Sequence, residues 1–190
     1  RKALVPHLLD LHDVYQALLK GRGERGAVDF ETTETQIVCD DVGRIEKIVP
    51  RTRNVAHRLI EEAMLAANVC SADFIAQSKH TGLFRVHEGP TPEKNEMLRN
   101  YLKAMGIGMT ISQDPTPGEF QQIAVATKDR PDAQQIHSML LRSMQQAIYT
   151  ATNSGHFGLA YEAYTHFTSP IRRYPDLLIH RVIKALLAGR

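Results

Sequence analysis

The side chains best suited to chemistry are concentrated in His166-Phe167-Thr168-Ser169-Pro170-Ile171-Arg172-Arg173-Tyr174-Pro175-Asp176, with His180-Arg181 one turn further on. Thr168 or Ser169 ahead of Pro170 is the pattern of a capped helix start, so the spacing predicts a helix opening at Ser169-Pro170 and running to about Ala188. Its first turn would hold Ile171, Arg172 and Arg173. Two cations there oppose the helix dipole, and they make sense if an anion sits between them and the free backbone N–H groups. The planar fork of arginine suits a phosphate in particular. Arg172, Asp176 and His180 fall four residues apart on one stripe, with Ile171, Leu178, Val182 and Leu186 facing a core. On that spacing Asp176 would orient Arg172 or His180, and Pro175 would bend the helix start. An exposed helix face with ordinary ion pairs fits the same spacing.

A second stripe lies on a long helix predicted from about Arg53 to Lys79. At about 100° per residue, Arg53, His57, Glu61 and Asn68 share one polar side beside an apolar one. Spacing alone reads this as a solvated face, with Glu62 on the other side and structural.

Several elements must position these groups. Leu4, Leu8, Leu11, Tyr15, Leu18 and Leu19 recur at helical spacing until Gly21 and Gly23. Val28 and Phe30, Ile37-Val38-Cys39, and Ile45, Ile48 and Val49 read as short strands. Leu83-Phe84-Arg85-Val86 is another short strand. Thr91-Pro92 starts a helix that ends at Gly106. A Pro/Gly loop covers 111–118, a short helix runs from Glu119 to about Ala126, and an amphipathic helix from Asp132 to Tyr149 ends before Asn153-Ser154-Gly155. The reading is an α+β, helix-rich chain with a small mixed or antiparallel sheet, in one domain or part of one.

With 190 residues and 43% hydrophobic content the chain is long and apolar enough for one sizeable core. The net charge of +2 does not mark an all-over polyanion binder. Residues 141–190 carry a local net of +4, which leaves −2 on the rest and places a basic third beside the motif. Cys39 and Cys70 have neither disulfide nor zinc spacing, which suggests reduced thiols in the cytoplasm. No apolar run is long enough for a membrane, and Arg1-Lys2-Ala3 leads into an amphipathic stretch unlike a secretory leader. His156, His166 and His180 form no recognisable metal set, and nothing fixes Ser169 beside a base. Phe84, Phe157, Tyr164, Phe167 and Tyr174 are the aromatics available to stack on bases, the last two flanking the arginines.

The segment 166–174 with Asp176 and His180-Arg181 resembles the catalytic-domain signature of the ribonuclease II / ribonuclease R (RNB) family. Gly155-His156-Phe157-Gly158-Leu159-Ala160 is similar to the ribonuclease R version, as are Arg130-Pro131-Asp132-Ala133 and Met139-Leu140-Leu141-Arg142-Ser143-Met144. Arg53 to Met64, with Ala67-Asn68, resembles the family's central helix. The likeness covers nearly all of residues 1–190. It implies processive 3′→5′ hydrolysis of single-stranded RNA to nucleoside 5′-monophosphates with Mg²⁺ held by clustered aspartates. It also implies that Arg172 neutralises the reacting phosphate with Arg173 beside it, and that Glu61 meets a ribose hydroxyl. Asn68, His166, Thr168, Ser169 and Tyr174 are then RNA-binding candidates, and Asp176 and His180 supports.

The family's aspartate cluster has no counterpart here. Asp10, Asp13, Asp29, Asp40, Asp41, Asp73, Asp114, Asp129, Asp132 and Asp176 are spread along the chain, and the adjacent pair Asp40-Asp41 reads as a turn. The resemblance places the cluster N-terminal to this stretch. The expectation is the C-terminal portion of a catalytic domain, without metal ligands and without the flanking cold-shock and S1-type barrels. Two other readings are a non-catalytic RNA-binding or interaction fragment and a plain helical scaffold, which leaves the paired arginines unexplained.

Overall fold

The structure is a computed structural model, and it describes residues 2–29, 34–51 and 54–189. Phe30 of the first expected strand, Arg53 of the polar stripe and the terminal Arg1 and Arg190 lie outside the described residues. Helix α1 spans Val5–Glu24, α2 Val55–Gln77, α3 Pro92–Ala104, α4 Pro117–Thr127, α5 Ala133–Ser143 and α6 Tyr174–Leu187. Strands β1 (Glu34–Cys39) and β2 (Ile45–Arg51) form one antiparallel hairpin, and β3 (Phe84–Val86) pairs antiparallel with β4 (Ile148–Thr150). The helix-rich α+β reading holds, with two small antiparallel sheets. Among the described residues no helix is long and apolar enough to cross a membrane.

Two apolar cores organise the chain. In the first, Leu98 and Leu102 of α3, Phe120 and Ile123 of α4, and Ile136 and Leu140 of α5 close on Ile111 and Val28. Thr91 caps α3 by accepting from the Lys94 N–H, with Pro92 opening the helix as its sequence predicts. Thr116 caps α4, and Glu119 reaches back to the Thr116 N–H at 2.7 Å, a reciprocal box that satisfies both ends of the turn. The second core joins Ala72 and Ile75 of α2, Phe84 and Val86 of β3, Ala163, and Ile179 of α6. This core carries the functional segment.

The structure departs from the sequence reading in four places. Helix α1 continues through Gly21 and Gly23, and the turn comes at Gly26, whose φ of 78° favours glycine. Val28 is buried but in no strand; its N–H donates to the Gly158 carbonyl. The helix expected over 132–149 stops at Ser143, because Met144 turns extended and the Gln145 N–H bonds the Glu88 carbonyl, freeing Ile148–Thr150 to pair with β3. The last helix begins at Tyr174, five residues later than Ser169-Pro170 implies. Arg172 and Arg173 therefore precede the helix.

Candidate functional site

The segment 168–173 is a turn held from both sides. The Ser169 carbonyl accepts from the Arg172 and Arg173 N–H groups at 3.3 and 3.0 Å. Asp176, in the first turn of α6, reaches back: its Oδ1 accepts from the Ser169 N–H at 2.7 Å and from Arg173 Nη2 at 2.8 Å. That carboxylate is fully buried, and a buried charge survives only with such partners. Asp176 thus orients Arg173 and the turn, a correction to the expectation that it orients Arg172 or His180. Pro175 sits at the helix start, where a missing N–H loses nothing, so it does not bend α6. Ile171, expected in the core, is fully exposed; Ile179 takes the buried place instead.

Asn68 holds the other side of the turn. It is buried on α2, and its Oδ1 accepts from the Phe167 and Thr168 N–H groups at 2.9 and 3.2 Å. Its Nδ2 donates to the Tyr164 hydroxyl at 2.9 Å. With both oxygen sites committed, Asn68 is placed as a support beneath the motif, not on its open face. His180 supports it too: Nε2 donates to the Phe167 carbonyl at 2.9 Å, and the ring stacks on Phe167 at 4.1 Å.

The remaining candidates divide by exposure. Arg172 is exposed and, among the described residues, has no carboxylate partner, while Arg173 is tethered to Asp176. Tyr174 is 62% exposed, the most open of the aromatics considered. Phe84 and Tyr164 are buried, and Phe157 packs edge-on to Phe120 at 5.2 Å. The Thr168 hydroxyl is buried without a partner, as is Arg173 Nε. Across the site, Glu62 is buried and binds Arg22 Nη1 of α1 at 2.6 Å, the structural place its helix side implies. Glu61 is half-exposed, with its carboxylate 3.8 Å from the same nitrogen.

His166 lies half-buried beside the motif, with Nδ1 at 2.6 Å from the Tyr149 hydroxyl. Burial first, then the positive charge of Arg173, pushes its pKa down to about 4. His156 is driven to about 3 by burial and then by its neighbour His87, 4.9 Å away ring to ring. Both rings are neutral at neutral pH. Sequence reasoning missed Arg85 and Tyr149, which face each other across β3 and β4 with the guanidinium 4.5 Å over the ring. The β-rich triplet Ile148-Tyr149-Thr150 was the available signal.

Among the described residues no three His, Cys, Asp or Glu side chains gather to hold a metal ion. Asp176 binds Arg173 and the Ser169 N–H through Oδ1, while its Oδ2 is buried without a hydrogen-bond partner. Among the described residues, then, no set of side chains fits a Mg²⁺ site.

The RNB domain model matches residues 1–189. Ribonuclease R of Vibrio cholerae is 50% identical over 187 residues, covering 98% of this chain and 23% of that protein. RNase R of Mycoplasma genitalium in complex with ribose methylated single-stranded RNA superposes with a TM-score of 0.90 at 29% identity, over 97% of this chain and 29% of that one. The same enzyme in complex with double-stranded RNA gives 0.92 at 29% identity, over 97% and 33%. The chain thus spans about a quarter of the length of such relatives. On the family match and the shared fold, this chain belongs to the RNB-domain family.

Proposed function

We propose that these residues form the C-terminal part of the catalytic domain of a cytoplasmic 3′→5′ exoribonuclease. That enzyme hydrolyses single-stranded RNA to nucleoside 5′-monophosphates, and this chain supplies the arginine-bearing half of the site. The observation that carries the reading is the buttressed turn 168–173, which presents Arg172 without a carboxylate while Asp176 fixes Arg173 behind it. Such a turn gives a phosphate a preorganised guanidinium fork, and a phosphoryl oxygen gaining charge is stabilised by a donor already in place. In this reading Arg172 meets the reacting phosphate and Arg173 positions the turn. Tyr174 and Glu61 contact RNA from either side, Glu61 accepting from a ribose hydroxyl. Thr168, Ser169 and His166 line the contact, and Asn68, Asp176 and His180 hold it in shape.

The Mg²⁺ that activates water belongs to aspartates in the remainder of the domain, and the cold-shock and S1-type barrels are further partners in the whole enzyme. For this chain by itself, the lack of a fitting carboxylate set among the described residues favours RNA binding without turnover. In an assay of the purified chain with Mg²⁺ and labelled single-stranded RNA, salt-dependent binding is expected, lost in Arg172→Ala, with no mononucleotide released. Mononucleotide release by the chain would overturn the division of labour, and binding unaffected by Arg172→Ala would overturn the phosphate site.

A further inference from the structure

We propose that Arg85 is a third phosphate-binding arginine of this site, presented by Tyr149 and continuing the track begun at Arg172 and Arg173. The inference rests on the RNA-binding reading above and extends it to a residue outside the motif. Arg85 lies in the middle of β3, its backbone N–H bonded to the Tyr164 carbonyl at 2.8 Å. The antiparallel register sets it directly opposite Tyr149, and its guanidinium carbon lies 4.5 Å from that ring's centre. The Tyr149 hydroxyl is in turn pinned at 2.6 Å to His166 Nδ1, next to the motif in sequence and in space. The positive charges of Arg173, Arg85 and Arg172 each make His166 harder to protonate.

What surrounds Arg85 is equally informative. Among the described residues it has no ion-pair partner, although its side chain is half-buried. Tyr149 is the titratable group packed against it, and the charge of Arg85 also acts on His87, His156 and His166, each harder to protonate than usual with burial the first cause. Asp176 acts on His166 in the opposite sense but is committed to Arg173. A half-buried guanidinium with no counter-charge invites an anion from outside. Lying on an aromatic face fixes its plane while leaving the in-plane N–H donors free, the geometry a phosphodiester oxygen pair accepts.

The test is a fluorescence-anisotropy titration of the complete chain with a labelled oligouridylate over a series of KCl concentrations. Arg85→Gln is expected to bind roughly tenfold more weakly, the loss of one charge-assisted contact. Its plot of log affinity against log salt should be shallower by about 0.7, one phosphate contact on a single strand. Arg85→Lys, which keeps the charge, should retain the wild-type slope. A purely structural role for Arg85 would lower affinity in both variants and leave the slope unchanged, which overturns the proposal. Because Arg85→Gln can perturb the sheet, phenylglyoxal modification of the wild-type chain gives a second reading: bound oligouridylate should shield Arg85, and equal reactivity with and without RNA overturns the assignment. If the wild type shows no salt-dependent binding, or Arg172→Ala binds as tightly as wild type, the RNA-binding reading fails and takes this inference with it. Loss at Arg172 without any change at Arg85 refutes the inference alone.

Discussion

The two cores of this chain solve different problems. The core between α3, α4 and α5 gathers Leu98, Leu102, Phe120, Ile123, Ile136 and Leu140, each at most 1% exposed. The buried polar groups on its helices bond locally: Thr127 and Ser143 donate to carbonyls of their own helices and Asn95 to the Ser112 and Gln113 carbonyls. The core between α2, β3 and α6 is smaller and has buried polar groups among its apolar ones, with Asn68, Thr165 and Asp176 beside Ile75 and Ile179. The first core is set mainly by volume and shape, and its buried polar groups do not touch residues 167–173. The second directs the Asn68 Oδ1 and Asp176 Oδ1 bonds to the backbone of residues 167–169. Stability and site geometry are thus separable in the first core and inseparable in the second.

Mutations can break that contrast or sharpen it. The largest effects should come from the two centres. Phe120→Ala should cost about 3–5 kcal/mol through the cavity it leaves. Asp176→Ala should cost a similar amount, about 3–5 kcal/mol, by stranding Arg173 without its counter-charge. Urea unfolding measures both, and RNA binding separates them: the folded fraction of Phe120→Ala should bind as wild type does, whereas Asp176→Ala should lose binding. Equal loss of binding in the two would erase the distinction between the cores.

Acidification probes the site side more gently. His156 and His166 are harder to protonate folded, at about 3 and 4, than at the ordinary value of 6.5, so the unfolded chain takes up the extra protons. Stability is therefore full above that ordinary value and falls as the pH drops from there toward the folded values, by at most about 1.4 kcal/mol per pH unit for each ring. Urea midpoints across this window should fall for wild type and fall less steeply for His156→Gln. Equal slopes would remove His156 from the account. Smallest of all, Thr116→Ala should lower stability by about 1 kcal/mol through the lost cap of α4 and leave RNA binding unchanged; a change in binding would couple the cores.

Much of this was legible from residue types. Thr91-Pro92 and the apolar spacing of α2 announced their helices because capping and periodicity are local. The structural place of Glu62 followed from its side of the helix. The motif pointed to a phosphate site, yet its helix start was misplaced: Ser169-Pro170 has the composition of a cap, but the nearer constraint is the buried Asp176 carboxylate, which takes the Ser169 N–H into a turn. The amphipathic run after Asp132 concealed β4, because Ile148 and Tyr149 fit a helical stripe as well as a strand and the choice is made by β3, more than 60 residues earlier. Arg85 was invisible for the same reason. The β-rich triplet Ile148-Tyr149-Thr150 hints at a strand, but that Tyr149 meets Arg85 is set by pairing across 64 residues, which no local pattern records.

The Asn68 clamp also has a consequence in time. Its acceptor oxygen and the Thr168 N–H that it binds are 100 residues apart in the chain. At synthesis rates of about 5–20 residues per second, the ribosome needs about 5–20 s after making Asn68 before Thr168 is made at all. During that interval the three-helix core between α3 and α5 is completed first, from segments closer together in sequence. The phosphate turn is then among the last parts of the nascent chain to take shape, so a chain cut short between α5 and α6 carries the helices of that core without the complete site.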